Sequence, residues 1–273
     1  MKLIWCMVFI RIMVQAMSKT VLVVPDQHSH PDHHNDRAEW LGKLILDLKP
    51  DVVMNLGDAA DMPSLSSYDK GKASFKSASY QKDIESHLDF QEKMWGPIRK
   101  AKKKMPHSVV LWGNHEQRQD RVLEYEPHLR GDKYGISPRD FDFESYYDEV
   151  VPYDGGVPGI YNLDGVLFAH YFISGVMGRP IGGVNHAASL LSKNHCSCVQ
   201  GHSHTFDFSV KAKADGNTVM GLVAGVYQDY RSGWAGAAGN LWQRGLCILH
   251  NFQDQHYDLE WVSINRMRDT YGT

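Results

Sequence analysis

Cysteine is scarce in this chain of 273 residues: Cys6, Cys196, Cys198 and Cys247 form no C-x-x-C pair and no disulfide-like spacing. That argues against a structural zinc site or a disulfide scaffold and suits a reducing compartment, so a cytoplasmic location is expected. Surplus charge is also missing. The formal net charge of -3 gives no global basic field for nucleic acid. Long hydrophobic runs are absent too, and no membrane partner is expected. The first apolar stretch, residues 3–10, is broken by Arg11 and lacks a clean small-residue cleavage site. Residues 1–16 read as a non-structural extension before a natural start at Met17-Ser18-Lys19-Thr20, with a secretory signal as the alternative. No repeat, low-complexity tract or linker divides residues 17–273, which are expected to form one domain. No nucleophile elbow or triad-like motif appears, which leaves a metal-independent hydrolase without support.

Five short apolar runs each end in a polar cluster. The stretch Gln200-Gly201-His202-Ser203-His204 follows an apolar run at residues 196–199 that reads as a buried strand. In an extended segment His202 and His204 share a face. Upstream, residues 21–24 form a strand that ends in Pro25 and Asp26-Gln27-His28. Asn35 or Asp36 caps a helix carrying Leu41, Leu44, Ile45 and Leu48, and Pro50 ends it. Residues 52–56 form a second strand, with Gly57-Asp58 at its tip, so the two strands imply a right-handed parallel crossover. A serine-rich loop (64–79) and a long helix bearing Ile84, Leu88 and Trp95 lead into the basic run 99–104. That run reads as a solvated helix end, or else as a phosphate contact. A third strand, 108–112, precedes Gly113-Asn114-His115-Glu116. Residues 124–158 look like aromatic-rich loops with short helices, whose rings pack the body or stack on a base. Asp164-Gly165 turns a hairpin into strand 166–169, which ends at His170; a helix near 187–191 precedes the Cys196 strand. The segments after His204 read as an antiparallel meander.

Asp26, His28, Asp58, Asn114, His170, His202 and His204 thus collect at strand tips. Carboxylate, imidazole and one amide oxygen suit two divalent first-row ions, with manganese expected and Fe, Zn, Ni or Mg as alternatives. Two such ions sharing a carboxylate activate water and neutralise a phosphoryl group.

The succession D-x-H, G-D-x-x-D, G-N-H-E, a lone His and G-H-x-H resembles the calcineurin-like metallophosphoesterases, over roughly residues 21–204. The resemblance implies an α/β fold, a four-layer α/β/β/α sandwich of two mixed β-sheets flanked by helices, with a dinuclear centre at one edge. It implies that Asp26, His28 and His204 bind one metal, that Asn114, His170 and His202 bind the other, and that Asp58 bridges them. His115 becomes the non-ligand catalytic histidine, assisted by Asp61, while Glu116 supports its loop. His170 precedes Tyr171 where the family commonly has Gly, so His186 and His195 are rivals for that position. His30, His33 and His34 read as a polar loop beside the site.

In the phosphoprotein phosphatase branch two arginines flank these motifs and grip a phosphomonoester; here Met62 and Trp112 stand in their places. A phosphodiester of nucleic acid or a nucleotide is therefore the expected substrate. Arg118, Arg179 or Arg231 remain as substitutes for the clamp, and Arg118 and Asn114 are the substrate-binding candidates. A phosphomonoesterase or nucleotidase, a nucleotide pyrophosphatase and an inactive metal-binding module are the competing readings.

Overall fold

The computed structural model describes residues 18–131 and 135–272. The extension at residues 1–16 lies outside them. The chain opens with β1 (Lys19–Val24), α1 (Asp36–Leu48) and β2 (Val52–Asn55). It continues through α2 (Tyr80–Lys100), β3 (His107–Leu111), α3 (Arg118–Tyr125) and β4 (Glu149–Val151). The hairpin β5 (Ile160–Leu163) and β6 (Val166–Ala169) is followed by the two-residue pair β7 (Ile173–Ser174) and β8 (Arg179–Pro180). Then come α4 (His186–Asn194), β9 (Cys198–Gln200), β10 (Phe206–Ala212) and β11 (Thr218–Ala224). The described chain closes with β12 (Gly245–Gln253), β13 (His256–Ser263) and α5 (Ile264–Tyr271).

Two mixed sheets result, with strand orders β13-β12-β1-β2-β3-β4 and β10-β11-β9-β6-β5. β1, β2, β3 and β4 run parallel, with Val21 opposite Val52 and Val52 opposite His107. Alternation within each buried strand sorts the layers. Leu22, Val24, Val53 and Val110 point into a core shared with Leu41 and Ile45 of α1, Phe90 and Trp95 of α2 and Met267 of α5. Their neighbours Val21, Val23, Met54 and Val109 point the other way and meet Phe168, Val199 and Leu222 of the second sheet. That sheet's far face, with Ala169, Cys198 and Val223, is covered by Leu190 and Leu191 of α4. Helices, sheet, sheet, helix is the expected four-layer α/β/β/α sandwich. Among the described residues no helix is long and apolar enough to cross a membrane.

Local expectations fail in several places. The segments after His204 do not form one meander, because β10 and β11 stay in the second sheet while β12 crosses back to pair with β1, Leu249 opposite Val21. Residues 124–158 contain a strand, β4, that extends the first sheet. Three of the rings there pack the body: Phe141 and Phe143 are in the core, and Tyr147 reaches Gln91, whereas Tyr125 stays exposed. Asn35 precedes α1 without capping it, because its amide donates to the Ser86 carbonyl and Asp89 of α2. The basic run lies at the carboxyl end of α2, about 30 Å along that helix from its first turn. Lys100, Lys102, Lys103 and Lys104 are exposed, and Arg99 is spent on Glu92 and the Ser145 carbonyl.

Candidate metal centre

β1, β2, β3, β6 and β9 all point their carboxyl ends at one edge, where open α/β sheets place their ligands. Backbone bonds fuse the loops that follow. His28 N–H donates to the Asp58 carbonyl (2.8 Å), Ser29 N–H to that of Ala59 (2.9 Å) and Asp61 N–H to that of Ser29 (3.0 Å). Buried Glu116 accepts from the N–H groups of Asp58 (2.9 Å), Ala60 (3.1 Å) and Gly113 (2.7 Å), which gives the loop support expected of it. Two glycines are set by proximity rather than by turning. A Cβ on Gly113 would lie 2.1 Å from Asp58 Oδ1, and one on Gly201 would lie 2.2 Å from Asp26 Oδ2.

His202 and His204 do not share one extended face. Their φ angles are +67° and +61°, so the chain leaves extended geometry after Gln200 and sends the two rings to different neighbours. Asp26, His28 and Asp58 also sit at positive φ (37°, 46° and 49°), backbone that Asp and His tolerate and bulkier residues avoid.

The side chains form two groups that share Asp58. Donor atoms of Asp26, His28, Asp58 and His204 lie within 4.8 Å of one another, as do those of Asp58, His170 and His202. In the first group His28 Nδ1 donates to Asp61 Oδ1 (3.1 Å), which leaves its Nε2 lone pair 3.0 Å from His204 Nε2. His204 Nε2 is 3.4 Å from Asp26 Oδ1. In the second, His170 Nδ1 donates to the Leu56 carbonyl (2.9 Å) and aims Nε2 at Asn114 Oδ1 (3.0 Å), His202 Nδ1 (3.2 Å) and Asp58 Oδ2 (3.4 Å). Carbonyl and carboxylate partners that fix the far nitrogen are the usual support of a metal-binding imidazole.

His115 belongs to neither group. With His28 and Asp61 it makes a third close set, in which Asp61 Oδ1 lies 3.1 Å from Nδ1 of each ring. Its Nδ1 donates to the Asp61 carbonyl (2.6 Å), and its Nε2 is 3.0 Å from Arg118 Nη2 and 3.8 Å from Asp58 Oδ2. Arg118 also donates to the carbonyls of Asp61 (2.8 Å) and Met62 (3.1 Å).

The charges show what this edge is built to hold. Burial alone would raise the Asp58 carboxyl, but the charges of His115 and His170 outweigh it and hold it well below its ordinary range. Asp61 is held down similarly, against burial, by hydrogen bonds from His115 and His28. Burial would lower His170, yet Asp58 pushes it up to about 9; burial and the neighbouring His170 push His202 down to about 3. One positive charge therefore sits among an amide oxygen, a carboxylate and an imidazole nitrogen. Oxygen and nitrogen donors converging on positive charge fit divalent first-row cations.

The rivals for the lone-histidine position lie elsewhere. His186 is buried on α4 against Gln200 (2.9 Å), and His195 ends that helix, exposed. In the polar loop, His30 Nε2 is 3.7 Å from Asp61 Oδ2, His33 stacks on Tyr230 at 3.7 Å, and exposed His34 pairs with Asp36. Arg179 and Arg231 are exposed, and neither lines the cleft above the centre.

Sequence reasoning missed four supports. Arg37, fully buried, donates to the carbonyls of Gln27 (2.9 Å), His28 (3.2 Å) and Tyr227 (3.3 Å), and Tyr230 Oη donates to the His28 carbonyl (2.6 Å). Trp242 packs edge-on against His204, with ring centroids 4.2 Å apart. Asp83, in the first turn of α2, accepts from Ser64 N–H (3.0 Å) and so ties down the chain leaving the Asp61 loop.

Burial pushes the Asp83 carboxyl up to about 6, against its Ser64 hydrogen bonds, with Asp61 raising it further and Arg118 lowering it. The folded chain therefore binds a proton between about pH 6 and pH 4 that the unfolded chain does not, so this group adds stability as pH falls through that window. Asp83→Asn, which keeps an acceptor for Ser64, is expected to raise the melting temperature at pH 8, by on the order of 1–3 kcal/mol of stability. The gain should vanish near pH 4; a lower melting temperature at pH 8 would contradict the reading.

The sequence model of the family described as calcineurin-like phosphoesterase matches residues 19–206. No curated protein sequence matches the chain. Among solved structures, a dimetal phosphatase from Danio rerio is similar at 9% identity, covering 90% of this chain and 98% of its own, with a TM-score of 0.43. The protein TT1561 of Thermus thermophilus is similar at 10% identity, covering 89% and 99%, with a TM-score of 0.36.

Proposed function

Because this chain belongs to the calcineurin-like phosphoesterase family, we propose that it is a metal-dependent phosphodiesterase acting on nucleic acid or nucleotides. Asp26, His28 and His204 would hold one divalent ion, Asn114, His170 and His202 a second, with Asp58 common to both. Bound there, the ions supply a nucleophile active at neutral pH and positive charge for the phosphoryl oxygens.

The chain's own residues do the rest. His28 and His170 are fixed by Asp61 and the Leu56 carbonyl, so their Nε2 atoms face the centre without reorganisation. Arg118 donates to His115 Nε2 in the free chain. A phosphoryl oxygen in the cleft competes for that donor, and its capture by the ester frees His115 Nε2 to take a proton from solvent water entering the open cleft. Asp61, at His115 Nδ1, stabilises the resulting imidazolium, which then donates to the leaving oxygen. Asn114, which also lines the cleft, offers its amide N–H to the same ester.

The preference for a diester is carried by one observation. Met62 and Trp112, which stand where a monoester clamp would place arginines, are both buried, and Arg118 is the one arginine lining the cleft among the described residues. A single guanidinium suits a monoanionic diester better than a phosphomonoester dianion. With Mn²⁺, a chromogenic phosphodiester should be turned over at least ~10-fold more efficiently than its monoester, a difference of about 1.4 kcal/mol in transition-state binding. A monoester preference would overturn the assignment and make a nucleotidase the better reading.

A further inference from the structure

The cleft above the metal centre encloses about 1010 Å³, far more than one phosphoryl group fills and at the upper end for pockets that bury a whole small ligand. One wall comes from the segment between Asp61 and α2. Tyr68, Lys72 and Phe75 line it, continued by Lys82 in the first turn of α2 and by Arg118. Trp242 lines the same cleft from the segment before β12. Tyr68 is 82% exposed, which leaves most of a large ring open to a ligand. Lys72 pairs with Asp69 at the surface, an exchangeable contact. Lys82 is exposed and forms no ion pair among the described residues. Rings and cations alternate in sequence along this wall (Tyr68, Lys72, Phe75, Lys82), beside Asp69 in the same lining, in a chain whose overall charge is negative.

That alternation matches a ligand with repeating phosphates and unstacked bases. A duplex keeps its bases stacked and offers no face to Tyr68, Phe75 or Trp242. We infer that the substrate is a single-stranded polynucleotide laid along this wall, with Lys72 and Lys82 taking phosphates beyond the scissile one and Tyr68 stacking on a base. This deepens the phosphodiesterase reading and rests on it.

The test is binding of a fluorescein-labelled hexathymidylate with hydrolysis-resistant phosphorothioate linkages to the full chain in Mn²⁺, followed by anisotropy across salt concentrations. The Lys72→Ala/Lys82→Ala variant should bind at least ~10-fold more weakly, with a salt slope shallower by about 1.4. Tyr68→Ala should weaken binding about tenfold. Lys103→Ala/Lys104→Ala, at the far end of α2, should bind as wild type. Unchanged binding in the Lys72/Lys82 variant, weakening in the Lys103/Lys104 variant instead, or displacement of the hexamer by an equal concentration of thymidine monophosphate would each overturn the inference. Binding is read without turnover, so the two claims fail separately. A chain that hydrolyses the chromogenic diester but fails here loses only the polynucleotide path. One that binds the hexamer yet hydrolyses no diester loses the phosphodiesterase reading.

Discussion

Asp58→Asn is expected to lower diester turnover by at least ~10²-fold while leaving the fold intact. The substitution is nearly isosteric and keeps an oxygen where Asp58 Oδ1 accepts from His115 N–H (2.9 Å), so the Gly113–Glu116 loop retains its anchor. What disappears is the negative charge common to both donor groups. It is the same charge that pushes His170 up to about 9. In the metal-free variant His170 should therefore titrate well below that value, a shift readable by imidazole NMR without any assay of activity. Wild-type turnover together with an unshifted His170 would show that Asp58 is a bystander.

His115→Ala should separate catalysis from metal binding. Turnover is expected to fall about 10²–10⁴-fold, with metal content unchanged. The physical basis is that His115's loop is held by main-chain contacts that alanine preserves, namely its own N–H to Asp58 and the Gly113 N–H to Glu116. If His115 protonates the leaving oxygen, the loss should be largest for alkyl leaving groups and smallest for nitrophenolate, which departs without help. Loss of metal in this variant would make His115 a ligand instead. An equal loss for every leaving group would leave it stabilising charge without moving a proton.

Much of this arrangement was legible in the chain because each apolar strand is punctuated by its own polar tip. Asp26 to His28, Asp58, Asn114, His170 and the Gly201–His204 stretch all fall where the sheets converge. What was illegible is what depends on distant partners. The two-residue alternation that placed His202 and His204 on one face holds only while φ is extended, and both residues sit at positive φ. Nothing local marks β4 as a strand; one exposed and two half-exposed residues become one by pairing with β3. Asp215-Gly216 marks the β10–β11 turn in the sequence, but the return of β12 to β1 is a choice between sheets that no local pattern encodes. Arg37 reads as the polar face of a helix. It is fully buried because the carbonyls of Gln27, His28 and Tyr227 converge on it, and so an arginine outside the motifs holds the loop that carries Asp26 and His28.

The central claim is that the strand tips form one centre for two ions joined by Asp58. Metal content per chain, measured by mass spectrometry after loading with Mn²⁺ and exhaustive dialysis, tests it most directly. Two ions per wild-type chain, at most one in Asp58→Asn, and turnover that appears only with the second equivalent are the expected results. Full turnover at one ion per chain, or turnover that survives chelation, would contradict it.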